Sequence, residues 1–162
     1  MLESQGVTSM LADRFGFEIP AKRKVLDDWK ELADHVDTLD DAEEIHIAVA
    51  GKYTDLADSY LSVIKALQHA SFKVNRKLVI DWIESSALDG ETEKSDSEAH
   101  KSAWKLLRSA DGILVPGGFG IRGIEGKIKA AEYARENKIP YLGVCLGLQV
   151  ATIEFLSLIH IS

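Results

Sequence analysis

The sequence predicts an α/β fold built on a doubly wound, mostly parallel sheet, and three observations support this. From residue 45 onward, short apolar segments alternate with longer segments whose apolar residues recur at helical spacing. The short segments are continuously apolar, which is typical of strands buried on both faces of a parallel sheet. Two of them end in unusual sequences, at residues 116–120 and 143–147. Ligands of such sheets bind beyond the carboxyl ends of the strands.

The region before this pattern is organised differently. Residues 1–44 are polar and interrupted, and they predict an arm or linker with one helix over residues 22–36, where Val25, Trp29 and Leu32 recur at helical spacing. Residues 45–155 form the predicted α/β domain. Residues 156–162 continue no recognisable pattern.

Strands and helices alternate within residues 45–155. The four predicted strands are residues 45–50, 77–83, 112–115 and 141–144. The first predicted helix begins near Asp58 or Ser59, both good N-caps. Three further helices are predicted over residues 99–110, 124–137 and 146–155. Residues 85–97 are rich in Ser, Asp and Glu, and predict a mobile acidic loop with no part in a functional site.

Composition excludes several classes of function. The formal charge of −7 argues against nucleic acid or an anionic membrane as the main partner. No window is apolar enough for a transmembrane helix, and the N-terminus does not resemble a secretory signal. A single cysteine can form neither an intramolecular disulfide nor a structural zinc site. We therefore expect a cytoplasmic, soluble protein without a bound metal.

The single cysteine, Cys145, lies in the sequence G-x-C-x-G between a predicted strand and a predicted helix. A thiol at such a turn is exposed on strained backbone, and the flanking Gly143 and Gly147 leave room for the turn. The helix that follows directs free N–H groups at the sulfur, which favours the nucleophilic thiolate. The N–H of Leu146 can then stabilise an oxyanion. A lone cysteine is more often a small buried apolar residue, but the glycines and the context favour a nucleophile.

A second glycine-rich segment, residues 116–123, spells G-x-G-x-x-G between a strand and a helix. A dinucleotide site requires an acidic residue at the end of the next strand, and Cys145 occupies that region instead. The segment therefore predicts a backbone loop at Gly117 and Gly118 that supplies a second oxyanion donor. For Gly120 and Gly123, a simple tight turn remains an open alternative.

Two further observations concern the reaction partners of Cys145. Gln149 lies one helical turn beyond it and can bind the polar end of a substrate, although a core-edge amide is an equal alternative. A cysteine nucleophile also needs a base. His160 is fifteen residues away, roughly 22 Å along a continuous helix, and the other four histidines lie on predicted elements with no catalytic spacing.

Several motifs resemble the CTP synthase family, from about residue 2 to residue 155. The most specific are residues 114–120 with 122–127. Residues 4–7 are similar to the end of its synthetase domain. Residues 50–54 and 58–67 are similar to the start of its glutaminase domain. The motif at residues 140–149 is shared more widely among class I amidotransferases.

The resemblance implies a flavodoxin-like class I glutamine amidotransferase domain in which Cys145 attacks L-glutamine and forms a glutamyl thioester. Gly118 and Leu146 would donate the oxyanion N–H groups. The residues implied in the glutamine pocket are Gly117, Gly118, Leu146, Gly147, Leu148 and Gln149. This part of the family binds no cofactor of its own. The resemblance also implies that the ammonia reaches a synthetase domain, which aminates UTP with ATP and Mg²⁺. The enzymes of this family are homotetramers. GTP activates them, and in this sequence we expect the GTP effect to pass near Arg122 and Glu125.

The sequence departs from that family in ways that affect activity. The family's catalytic histidine and glutamate and its synthetase domain have no match here, so we expect a fragment whose domain is incomplete at the C-terminus. Ile153, Phe155 and Leu158 should then be exposed, and the chain alone should be inactive. The alternatives are a non-catalytic fragment that only binds or assembles, another class I amidotransferase, and a thiol hydrolase.

Overall fold

A computed structural model describes residues 4–19, 24–52 and 57–159, which fall into two compact units divided between Thr38 and Leu39. The first unit contains α1 (Val7–Phe15) and α2 (Lys24–Asp37). The predicted helix over residues 22–36 is confirmed from Lys24 onward, whereas α1 was not predicted. Helix α1 ends at Gly16, whose left-handed backbone (φ +65°) lets its N–H donate to the carbonyl oxygen of Ala12.

The second unit is built on a parallel sheet of four strands: β1 (Glu44–Gly51), β2 (Lys77–Glu84), β3 (Gly112–Val115) and β4 (Tyr141–Gly143). Their spatial order is β2-β1-β3-β4, with Ile47 paired to Ile80 and Leu114 paired to Leu142. All four predicted strands and the α/β fold class are confirmed. The reversal of strand order beside β1 is a position where ligands of open parallel sheets bind.

Helices connect these strands. The α-helices are α3 (Leu61–Val74), α4 (Gly90–Ser95), α5 (Ser97–Ser109), α6 (Ile124–Asn137) and α7 (Leu146–Ile159), and the 3-10 helices are Thr38–Asp41, Ala57–Tyr60 and Ser85–Leu88. The helix predicted to begin near Asp58 or Ser59 begins two to three residues later, at Leu61, because a 3-10 turn precedes α3. The helix predicted to end at residue 155 continues to Ile159, so part of the unmatched tail is helical.

The acidic loop predicted over residues 85–97 is also wrong, because these residues form a 3-10 helix and α4. Asp89 accepts a hydrogen bond from the N–H of Glu91, and Asp96 accepts one from Ala99. The aspartates that indicated a loop are therefore helix N-caps. Ser85 and Leu88 are fully buried, so the start of this segment belongs to the core.

The core lies between the sheet and the helices. Its buried members share small or branched apolar side chains, and they are Ala48, Ala50, Ile83, Leu88, Ala103, Leu107, Ala110, Ile113, Val115, Ala130, Ala134 and Val150. An ion pair joins α6 to α7: Nε of Arg135 donates a 2.9 Å hydrogen bond to Glu154 Oε1, and Nη2 lies 2.9 Å from the same oxygen. This pair holds the helix that follows Cys145 against its neighbour.

The outer edge of the sheet is apolar and uncovered. Ile153, Phe155 and Leu158 of α7 are 53%, 55% and 48% exposed, which confirms their predicted exposure. Leu142 of the edge strand β4 is exposed with them. No helix within the described ranges has the length and apolar character needed to cross a bilayer.

We predict that Gly126→Ala destabilises the protein even though alanine favours helices. A methyl group on Gly126 would lie 1.7 Å from the carbonyl oxygen of Ser85, so α6 would have to move away from the 3-10 helix. Overpacking of this kind costs about 1–3 kcal/mol, against roughly 1 kcal/mol gained in helix propensity. Urea denaturation measures the difference. Gly90→Ala is the control, because nothing lies within 4 Å of its added methyl group. Equal stabilities for the two variants would contradict this packing.

Candidate active site at the carboxyl end of the sheet

Cys145 occupies the turn between β4 and α7 in a left-handed backbone conformation with φ +53°. This conformation is rare for a residue with a side chain and costs about 1–3 kcal/mol. The cysteine is exposed, which excludes the interpretation of a buried apolar residue. The predicted strand-to-helix turn with unusual backbone angles is confirmed.

The two glycines that flank Cys145 are required by close backbone contacts. A methyl group on Gly147 would lie 2.0 Å from the carbonyl oxygen of Val115, at the end of β3. A methyl group on Gly143 would lie 2.5 Å from the carbonyl group of Gly147. Side chains at either position would separate α7 from the sheet, so the spacing G-x-C-x-G follows from the packing.

Helix α7 begins at Leu146, directly after the cysteine. The first N–H groups of a helix have no intrahelical acceptor and carry the positive end of its dipole. The turn is fixed by hydrogen bonds from the N–H of Gly147 to Val144 and from the N–H of Gln149 to Cys145, at 3.0 and 3.1 Å. The arrangement favours a negatively charged group that binds beside the first turn of α7.

Tyr141, which the sequence analysis did not identify, also holds the turn in place. Its hydroxyl group donates a 2.9 Å hydrogen bond to the carbonyl oxygen of Gly147. Burial raises the pKa of Tyr141 to about 12, so the hydroxyl remains a donor at every physiological pH. The residue therefore fixes the first turn of α7 relative to β4.

The glycine-rich loop after β3 faces the cysteine, as predicted. A methyl group on Gly117 would lie 3.3 Å from Cβ and 3.9 Å from Sγ of Cys145. A methyl group on Gly118 would lie 3.8 Å from Cδ2 of Leu146. The structure thus brings the predicted nucleophile Cys145 together with Leu146, Gly117 and Gly118, whose backbone groups were predicted to stabilise the oxyanion.

Lys52 anchors the outer part of the same loop. Its Nζ donates hydrogen bonds to the carbonyl oxygens of Phe119 and Gly120, at 2.8 and 3.2 Å. Gly120 and Gly123 have left-handed backbones, with φ +80° and +74°. These two glycines shape the turn that leads into α6, and the structure gives them no further role.

The remaining predicted site residues lie around this centre. Leu148 and Gln149 are exposed on α7 and line a cavity of ≈ 510 Å³ with Leu146. Arg122 and Glu125 are exposed at the start of α6, and Nη2 of Arg122 lies 3.9 Å from Glu84 Oε1. Substrate binding by Leu148 and Gln149 stays a prediction, and so does an effector role for Arg122 and Glu125.

Lys127 is a further residue that the sequence analysis missed. It is fully buried on the core face of α6, and a methyl group on Gly118 would lie 3.4 Å from its Nζ. A signal was present in the sequence, because Lys127 precedes Ala130, Ala131 and Ala134 at the spacing of one helix face. That face is buried, so the lysine points into the protein.

The histidines that the structure describes in the sheet-containing unit make contacts away from Cys145. Nδ1 of His46 lies 2.9 Å from Asp81 Oδ2, and this hydrogen bond raises the pKa of His46. His46 is near the start of β1, at the opposite end of the parallel sheet from Cys145. Nδ1 of His100 bonds to the carbonyl oxygen of Ala87. Within the described residues, no histidine is hydrogen-bonded to Cys145, and no group of three or more His, Cys, Asp or Glu could hold a metal ion.

Comparisons with known proteins agree with this geometry. The sequence model of the family "Glutamine amidotransferase class-I" matches residues 55–159. The CTP synthase of Eremothecium gossypii is 61% identical over 132 residues, which cover 82% of this chain and 23% of that protein. The CTP synthase of Drosophila pseudoobscura pseudoobscura is 50% identical over 157 residues, 96% of this chain and 24% of that protein. The chain thus spans about a quarter of the length of these relatives.

A solved structure shows the same fold. The glutaminase domain of Trypanosoma brucei CTPS with bound acivicin matches with a TM-score of 0.60 and 43% sequence identity. The match covers 70% of this chain and 40% of that one.

We predict that Cys145→Gly is more stable than Cys145→Ala, by about 0.5–1 kcal/mol. Both variants lose the thiol, but only alanine retains the penalty of a Cβ in the left-handed region, which exceeds the extra entropy of unfolded glycine. Thermal unfolding of the pair measures the difference.

The same pair of substitutions at Lys101, an exposed position on α5, is the control. There alanine should be the more stable, by about 1 kcal/mol. A Cys145→Gly variant that is less stable than Cys145→Ala would show that the turn is not strained.

Proposed function

Because the chain belongs to the class I glutamine amidotransferase family, we propose that it is the glutaminase part of a CTP synthase, with Cys145 as the nucleophile. One observation carries the proposal: the exposed cysteine, held in a left-handed turn at the start of α7, lies against Gly117 of the loop after β3. A thiol needs this combination of access, helix dipole and facing backbone to attack an amide.

The reaction proceeds through a covalent intermediate. The thiolate of Cys145 attacks the side-chain amide carbon of glutamine, the C–S bond forms, and the π electrons of the carbonyl group move to its oxygen. The N–H groups of Leu146 and Gly118 stabilise this oxyanion, which is worth about 3–4 kcal/mol per donor in comparable sites. Its collapse breaks the C–N bond and releases ammonia once the nitrogen is protonated. Water then hydrolyses the glutamyl thioester to glutamate.

The substrate pocket in this proposal lies beside the first turn of α7. Leu146, Leu148 and Gln149, which follow Cys145 within four residues, border an apolar cavity. An apolar wall suits the methylene groups of glutamine, and the amide of Gln149 suits a polar group at the end of the substrate. Gly147 contributes through its small size, because it lets the helix start against Val115.

The ammonia is used outside this chain. The relatives named above are CTP synthases, and this chain spans about a quarter of them. In the longer protein a synthetase domain would use the ammonia to aminate UTP with ATP and Mg²⁺. The synthetase partner is thus proposed from these relatives.

We predict that acivicin, an amino-acid electrophile with a chlorinated dihydroisoxazole ring, alkylates Cys145 with saturation kinetics. Alkylation replaces the carbon–chlorine bond by a carbon–sulfur bond and releases chloride, so it requires a thiolate and an amino-acid pocket but no proton donor. Labelling is followed by mass spectrometry of the intact chain. Glutamine should protect the thiol.

Iodoacetamide is the control reagent, because it reacts with any accessible thiolate and has no amino-acid portion. Cys145→Ser should abolish labelling by both reagents. Acivicin labelling that rises linearly with concentration and ignores glutamine would contradict a glutamine pocket.

We predict that this chain alone releases ammonia from glutamine at least about 10²-fold more slowly than a glutaminase with a complete cysteine–histidine pair. The described residues place no histidine on Cys145, and such a base both generates the thiolate and protonates the departing ammonia. The assay is ammonia release beside a Cys145→Ser control. Fast turnover that depends on Cys145 would identify a base outside the described residues or in a second subunit.

A further inference from the structure

Lys127 is a lysine at a position where packing alone would favour an apolar residue. It is fully buried, and within the described ranges its Nζ has no hydrogen-bond partner. An unpaired buried charge is costly, and an apolar side chain of similar length would fill the same space without that cost. Burial lowers the pKa of Lys127, Lys52 lowers it further, and Glu84 acts in the opposite direction. Space filling therefore does not account for a lysine here.

The ammonium group of Lys127 lies beside Gly118 in the glycine-rich loop. A methyl group on Gly118 would be 3.4 Å from Nζ of Lys127 and 3.8 Å from Leu146. Gly117, one residue earlier, packs against Cys145. The loop thus contacts the nucleophile and the buried lysine at two consecutive residues.

The two lysines beside the loop differ in their use of donors. Lys52 already donates to the carbonyl oxygens of Phe119 and Gly120. Lys127 has three N–H donors and no acceptor among the described residues. Glu84, the anion that acts on Lys127, lies 3.9 Å from Arg122. The acceptor that Lys127 lacks is therefore most readily supplied by the peptide beside it.

We propose that Lys127 is a positioning residue that sets the orientation of the Gly117–Gly118 peptide, and this inference rests on the function proposed above. A trans peptide directs its C=O and its N–H in opposite directions. When Lys127 donates to the carbonyl oxygen of Gly117 from behind the loop, the N–H of Gly118 turns toward Cys145. This hydrogen bond offsets part of the cost of burying the ammonium group, and it stabilises the peptide orientation that the oxyanion needs.

The test is the kinetics of Cys145 alkylation by acivicin in Lys127→Met, compared with the wild-type chain. Attack on the ring C=N carbon places negative charge on the ring nitrogen, where the oxyanion donors act. We expect the saturating rate constant to fall about tenfold to a hundredfold, as for a misplacement of about 1 Å. The half-saturating concentration and the rate with iodoacetamide should change less than about twofold, and the melting temperature should not fall.

Lys129→Met is the matched control, since Lys129 is an exposed lysine of the same helix that pairs with Glu132 at 2.7 Å. It should leave the acivicin kinetics unchanged. Lys127→Leu provides a second variant without a hydrogen-bond donor, and its saturating rate constant should also fall.

Each outcome is decisive. A wild-type saturating rate constant in Lys127→Met overturns the inference and leaves the proposed function intact. If that variant does not fold, the same result in Lys127→Leu overturns it. An equal fall with iodoacetamide overturns it too, because the lysine would then act on the thiol. Unsaturable labelling of the wild-type chain would contradict the proposed function, and the inference with it.

Discussion

The contact between Gly147 and the carbonyl group of Val115 is the constraint on which the active-site geometry depends. A methyl group on Gly147 would lie only 2.0 Å from that oxygen, so α7 starts directly against the end of β3. The chain must leave β4 and enter α7 within two residues, and Cys145 takes up the reversal with φ +53°. Exposure of the thiol, its position at the helix N-terminus and its contact with Gly117 all follow from this one close approach.

The parts of the fold that could be predicted are those with local signals. Each strand of the sheet is a short apolar segment, and the G-x-C-x-G spacing marks the turn at Cys145 without knowledge of its neighbours. The loop predicted over residues 85–97 was wrong because aspartate is common both in loops and at helix N-caps. The same Asp89 and Asp96 that indicated a loop accept backbone hydrogen bonds as N-caps, and only the burial of Ser85 and Leu88 distinguishes the two cases.

The active-site loop could be predicted only in part, because its support comes from distant residues. Lys52 bonds to Phe119 and Gly120, 67 and 68 residues later, and no spacing rule connects them. Lys127 lies on a helix face that the sequence marks as buried, but a lysine is normally assumed to be exposed. The protein carries destabilising features around one centre, a left-handed cysteine and a buried ammonium, as expected where function requires them.

We propose that Cys145, Leu146 and the Gly117–Gly118 loop form one covalent centre for glutamine. A crystal structure of the chain after reaction with acivicin tests this proposal. We expect a bond from Sγ of Cys145 to the ring carbon, with the ring nitrogen about 3 Å from the N–H groups of Leu146 and Gly118. The amino-acid portion should lie along the cavity beside Leu148 and Gln149. An adduct whose ring nitrogen faces solvent, away from Gly118, would contradict it.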